Sequence, residues 1–244
     1  MIELFRGTAL AMGGLMIATT AALAADGKGM QISQSGTTPS TAAAKPLDPN
    51  TEAADARELL QESVEVVGQM RADPKIEARM QQAKGIFVIP DFGRAALVAG
   101  VSGGDGVVLE RTAGEWGNPL FYDLGSISAG AQAGASGGTM AMLLMSEKAI
   151  ESFRKTNNFS FNADAGFSII DWSANMQASA GKNDVILWSD TEGLFAGASI
   201  SISDISFDDD ETSAFYRRPV AEPRQIVATN MTDPAAEALK NALP

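Results

Sequence analysis

The chain has 244 residues and a formal net charge of −12, from 30 acidic and 18 basic side chains, with neither cysteine nor histidine. This composition excludes disulfides, thiolate nucleophiles, Ser-His-Asp triads and zinc sites built on histidine or cysteine. Strong acidity also makes nucleic acid an unfavourable partner, because both surfaces carry the same sign.

The first residues carry one arginine, Arg6, and then an apolar run over residues 8–23 that ends in Ala22-Leu23-Ala24. This is the layout of a secretory signal peptide (1–24) with cleavage expected after Ala24. The run is short for a bilayer span, which takes about 20 apolar residues. Without a cysteine there is no lipoprotein attachment point, so a periplasmic or secreted protein is expected. Residues 25–50 are rich in Gly, Ser, Thr, Pro and Ala and read as a disordered linker.

From residue 51 the pattern becomes helical. Leu59, Leu60, Val64, Val66, Val67 and Met70 fall on one broad stripe, with Thr51 as candidate N-cap and Asp73-Pro74 as the stop. A shorter helix is expected over 74–83. Strands follow at 85–90, 95–102 and 106–112, with Asp105-Gly106 as a hairpin signal before the last of these. The run from Leu120 continues the strand pattern. MSEKAIESFRK (145–155) reads as a helix capped by Ser146. Further strands are expected within 159–172, 184–190 and 194–207, and a short terminal helix at 233–243.

The segment SISAGAQAGASGGTMAMLLM (126–145) holds no charge. A phosphate loop needs Gly-Lys-Ser/Thr, and there is no lysine between Arg111 and Lys148. Ser, Gln and Thr dilute it too far for a membrane span. Strands of small residues remain, in which backbones approach closely or a ligand finds room.

Several motifs occur in a fixed order: AKGIFVIPDFGRAALVAGVSGGDGVVLER, WGNPLFYDLGSISAGAQAGAS, LLMSEKAIESF, GLFAGASISISDISFDDD and AFY. Their succession resembles the SYLF domain family over residues 59–216. The resemblance implies a non-enzymatic, lipid-binding module. Eukaryotic members bind phosphoinositides, partly through an amphipathic N-terminal helix, and some bind actin. Many bacterial members are small exported proteins. The helix matching the membrane-contacting one is 52–72. No SH3 or FYVE module accompanies the domain here, and Arg217 stands where the family usually has a glycine after its aromatic pair. The expected fold is α+β: an antiparallel β-sandwich or partly closed barrel with an N-terminal amphipathic helix and one inserted helix. The domain is expected over 51–220, with a tail at 221–244.

The candidate lipid-binding set is Leu59, Leu60, Val64, Val67 and Met70 on the helix stripe, with Arg71, Lys75, Arg79, Lys84 and Arg94 as a basic set for head groups. The competing reading packs the stripe on the core and leaves the bases solvated. Asp208, Asp209, Asp210 and Glu211 offer hard oxygen ligands but lack EF-hand spacing, so an acidic turn is preferred. Asp91-Phe92-Gly93 reads as a turn, because no H-R-D loop is possible without histidine. Trp116, Trp172 and Trp188 are expected as packing anchors. No metal or cofactor is called for.

Three functions compete. A lipid-binding module has phospholipid or a membrane surface as its partner. An envelope structural or interaction protein needs no ligand. A carboxylate hydrolase would need paired acids such as Asp164 and Asp171 in a cleft.

Overall fold

The computed structural model describes residues 48–93, 103–129, 138–163, 165–172, 183–190, 200–227 and 233–244. The expected signal peptide, the linker up to residue 47, the strand at 95–102, Arg94 and Asp164 lie outside them.

Helix α1, Pro49–Arg71, begins two residues before Thr51. The Asp48 carboxylate accepts from the Asn50 backbone N–H at 2.9 Å, and Pro49 supplies a preset φ at the first helical position. The Asp48-Pro49 pair therefore outcompetes Thr51 as the start. Asp73 accepts from the Lys75 N–H at 2.8 Å and caps α2, Pro74–Met80. One Asp-Pro step thus ends α1 and opens α2.

Among the described residues nine strands follow: β1 (Gly85–Phe92), β2 (Gly104–Thr112), β3 (Glu115–Trp116), β4 (Leu120–Ala129), β5 (Gly138–Leu144), β6 (Phe159–Phe161), β7 (Ile169–Asp171), β8 (Val185–Ser189) and β9 (Ile200–Phe207). They form one sheet in the order β6-β9-β4-β2-β1-β5-β8-β7, with β3 paired to β2. Every pair is antiparallel except β7–β8. β7, at one edge, touches β9, next to the other edge, so the sheet is nearly closed. Of the two expected forms, the molecule takes the barrel.

Helix α3, Glu147–Phe153, is inserted between β5 and β6 and is capped by Ser146, as the sequence predicts. After β9 come α4 (Asp209–Tyr216), α5 (Arg224–Val227) and α6 (Pro234–Ala242), the last capped by Asp233.

Besides the Thr51 cap, three expectations are overturned, the first being the turn at Asp91-Phe92-Gly93, where Asp91 and Phe92 are the last residues of β1. Asp105-Gly106 is not a hairpin turn; both residues lie inside β2, opposite Asp123 and Tyr122 of β4. Gly106 is there for space, because a Cβ would sit 2.4 Å from the Phe87 ring and 2.7 Å from the Val88 carbonyl oxygen. The acidic run after β9 is not a plain turn either. Asp208 accepts from the Glu211 N–H at 2.7 Å and caps α4, and the acids of the first turn suit the positive end of its dipole.

Residues 86–89 of β1 and 107–109 of β2 are fully buried, as continuous apolar runs predict for strands covered on both faces. On one side, Phe87, Tyr122 and Phe153 stack edge to face, and Phe159 and Phe161 extend the cluster. The Tyr122 hydroxyl donates to the Phe153 carbonyl. On the other side α1 lies over β1, β2 and β5 and is flanked by α4 and α6.

Candidate functional site

α1 turns Ala53, Ala56, Leu59, Leu60, Ser63, Val66, Val67 and Met70 inward at helical spacing. Of the predicted stripe, Leu60, Val67 and Met70 have no exposed surface, Leu59 keeps 9%, and Val64 is partly buried against the core. Burying each such side chain is worth about 1.5–3 kcal/mol, so in this state the stripe is committed to the sheet. Contact of these residues with a bilayer requires α1 to leave it. No helix among the described residues is long and apolar enough to cross a membrane.

Four of the five predicted bases gather at the corner where α1, α2 and β1 meet. Arg71 Nε donates to Glu77 Oε1 at 2.9 Å and its Nη1 donates to the Ala242 carbonyl at 2.8 Å. Lys84 Nζ pairs with Glu147 Oε1 at 2.8 Å, while Lys75 is exposed. Both ion pairs are solvent-accessible and therefore weak, so an incoming phosphate can compete for their cations. Two grooves open here. Val64, Gly68, Arg71, Ala72, Glu77 and Ala242 line one. The other has Arg79, Met145, Ser146 and Asp184 among its walls.

The opposite end of α1 is acidic. Asp55, Glu58, Leu59, Glu62, Asp91, Gly103, Gly104, Asp105 and Glu211 line a cleft of about 390 Å³. Asp105 on β2 and Asp123 on β4 are direct cross-strand partners. Burial, with Asp208 and Asp105 beside it, lifts the Asp123 carboxyl to about 6. Burial, with Asp208, Asp105, Glu52 and Asp123 nearby, lifts Glu211 to about 8. Glu52 is raised by burial and then by neighbouring carboxylates, and Asp208 by burial, against which the Glu211 N–H pulls it down while Asp210, Asp105 and Asp209 add to the rise. These acids come from five segments distant in sequence, and the linear pattern signals just one group of them, Asp208 to Glu211. Among the described residues no three acidic side chains are placed to hold a metal ion together.

The three tryptophans sit at element edges. Trp116 packs under the Arg111 guanidinium, 4.2 Å away, and donates from Nε1 to the Pro244 carbonyl at 3.1 Å. Trp172 is buried and donates to Asp73 Oδ2 at 3.2 Å, tying the end of β7 to the α2 cap. Trp188 is half-buried in β8.

Comparison with known proteins gives consistent matches. Residues 125–244 match the Ysc84 family model, described as Las17-binding protein actin regulator. The SH3 domain-containing YSC84-like protein 1 of Bos taurus is 24% identical over 195 residues, covering 78% of this chain and 57% of the relative. Protein YSC84 of Saccharomyces cerevisiae is 26% identical over 169 residues, covering 67% of this chain and 36% of the relative. The chain thus spans between about a third and three-fifths of the length of these relatives. With the motif order, the α+β barrel and these matches together, the chain is similar to the SYLF (Ysc84) family, most directly over residues 125–244.

Proposed function

We propose that this chain is an exported, non-enzymatic SYLF module that binds anionic phospholipid head groups at the corner formed by Arg71, Lys75, Arg79 and Lys84. The separation of charge along α1 carries this reading. Glu52, Asp55, Glu58, Glu62 and Glu65 occupy its first three-quarters, where the one base, Arg57, is paired with Asp233, and Arg71 closes it. Nineteen residues separate Glu52 from Arg71, about 28 Å of helix. A domain charged in this way meets an anionic surface with one end and turns the other away. Each basic residue near such a surface is worth about 1 kcal/mol. The partly apolar groove at Val64 and Arg71 gives the glycerol and first methylenes a place to rest.

Flotation of the chain with phosphatidylglycerol vesicles tests this. Binding is expected at low salt, with a loss of about tenfold or more in Lys75→Glu/Arg79→Glu. Equal flotation of the double variant would sink the proposed corner. Export is tested by fractionation of producing cells and sequencing of the mature N-terminus, expected at Ala25.

A second reading rests on the relatives. They are named as SH3 domain-containing and YSC84 proteins, and the family description names Las17 binding and actin regulation. That likeness supports a protein partner for this chain. It predicts co-isolation of a stoichiometric protein and no vesicle binding.

A further inference from the structure

We infer that α6 is a releasable membrane anchor: an anionic phospholipid that takes Arg71 undocks the end of α6, uncovers Arg111 as a further head-group base and frees Leu239 and Leu243 for the lipid surface. This rests on the head-group reading above and adds to it the element that enters the bilayer interface.

Arginines of other elements hold α6 at both ends. At its start, Arg57 Nε donates to Asp233 Oδ2 at 3.1 Å. At its end, Arg71 Nη1 donates to the Ala242 carbonyl at 2.8 Å, and the Arg111 guanidinium and Trp116 Nε1 donate to the Pro244 carbonyl. Cations suit this end, where the helix dipole is negative. The contacts at the end draw on the corner itself. Arg71 is one of its four bases. The Arg111 N–H donates to the Lys84 carbonyl at 2.7 Å, and its Nη1 donates to the carbonyl of Gln81, the C-cap of α2, at 2.6 Å. The Arg111 Nε is buried with no hydrogen-bond partner, and burial holds the guanidinium below its ordinary value. With α6 docked, this cation is left short of acceptors.

A phosphate competes for these contacts. The groove at the corner is lined by Val64, Gly68 and Arg71 of α1 and by Ala242 of α6, so a head group seated there touches the end of α6. Hydrogen bonds from a guanidinium to phosphate are about twice as strong as those between neutral groups. Of the two helices, α6 is the easier to detach. It buries Ala236, Leu239 and Leu243, whereas α1 buries Leu59, Leu60, Val66, Val67 and Met70. The charges of α6 also cancel, with Lys240 Nζ 3.0 Å from Glu237 Oε1, while α1 carries Glu52, Asp55, Glu58, Glu62 and Glu65. A helix with an apolar stripe and no net charge enters an anionic interface that repels α1.

The test follows the full chain on phosphatidylglycerol vesicles by hydrogen–deuterium exchange and by flotation. Exchange of the α6 amides is expected to rise about fivefold or more on these vesicles and to stay unchanged on phosphatidylcholine, with β1 protected throughout. A tether gives the second readout. Lys240 Nζ donates to Asn118 Oδ1 at 2.9 Å, neither residue belongs to the corner, and the chain has no cysteine of its own. In Asn118→Cys/Lys240→Cys, closing a short bis-maleimide link should lower vesicle affinity about fivefold or more relative to the same variant left open, which is what one base near the surface contributes. Arg57→Gln loosens α6 outside the corner and should raise affinity by up to about fivefold. Equal flotation with the link open and closed, with α6 as protected on the vesicle as in solution, would overturn the anchor and leave the corner standing. Absence of flotation in both the wild type and Arg57→Gln would remove the corner and the anchor together.

Discussion

Arg154 closes over the buried Glu110 with two hydrogen bonds to one carboxylate oxygen, from Nη2 at 2.9 Å and from Nε at 3.1 Å. Glu110 is 4% exposed, and its other oxygen has no partner. Burial raises the Glu110 carboxyl while the arginine pulls it down. Losing the partner of a buried charge costs about 3–5 kcal/mol. Arg154→Met should therefore lower stability by that order in urea denaturation. Lys84→Met removes an exposed pair and should cost about 1 kcal/mol or less.

Stability should fall as pH rises. Glu211 has an ordinary value of 4.5 and stands at about 8 in the fold, so the folded state holds its proton more tightly than the unfolded chain. That contribution is complete below about pH 4.5 and is lost as pH rises through about 8. A tenfold difference in proton affinity between the two states is worth about 1.4 kcal/mol, so the loss is on the order of a few kcal/mol. Asp123 and Asp208 act in the same direction. Thermal melts from about pH 5 to about pH 9 should show Tm declining, and Glu211→Gln should remove most of the slope. A flat profile in the wild type would mean that Glu211 is solvated.

Arg217 caps α4 with φ 51° and ψ 37°, a left-handed conformation. Its position is the one where the resemblance to SYLF sequences implies a glycine. The conformation costs an L-residue roughly 1–2 kcal/mol, and glycine gives back part of the gain through a freer unfolded chain. Arg217→Gly should stabilise by about 0.5–1 kcal/mol, a rise of about 2 °C in Tm. A lower Tm would show that the arginine side chain contributes more than its backbone costs.

Two glycine-to-alanine substitutions should have opposite signs. Gly68 is exposed on α1, and a Cβ there would meet nothing within 4 Å, so Gly68→Ala should stabilise by about 0.5–1 kcal/mol. At Gly106 the Cβ would collide with the Phe87 ring and the Val88 carbonyl, and Gly106→Ala should cost about 1–3 kcal/mol. Calorimetry of the two variants separates helix propensity from packing.

Local signals in the sequence are legible where one residue decides the outcome. Ser146 caps α3 and Asp73-Pro74 divides α1 from α2, because caps and proline act within a few residues. Legibility ends where the deciding neighbour is distant. Asp105-Gly106 has the chemistry of a turn, but Phe87 and the β4 pairing hold it in a strand. The acidic cleft joins carboxylates from α1, β1, β2, β4 and α4, and no linear spacing announces that meeting. The stripe on α1 is visible in the periodicity, yet its direction is set by the sheet beneath it.

α6 rests on α1, with Arg57 bound to Asp233 and Arg71 bound to the Ala242 carbonyl. The first described helix is therefore completed by the last one. During synthesis, α1 emerges well before the residues that cover its flank, and its apolar face has to wait for them. Closure across so long a stretch of chain is slow, and half-covered helices stick to one another. The growing chain should accordingly depend on a holding chaperone until residue 242 is out, and truncation before Pro234 should turn a folding problem into an aggregation problem.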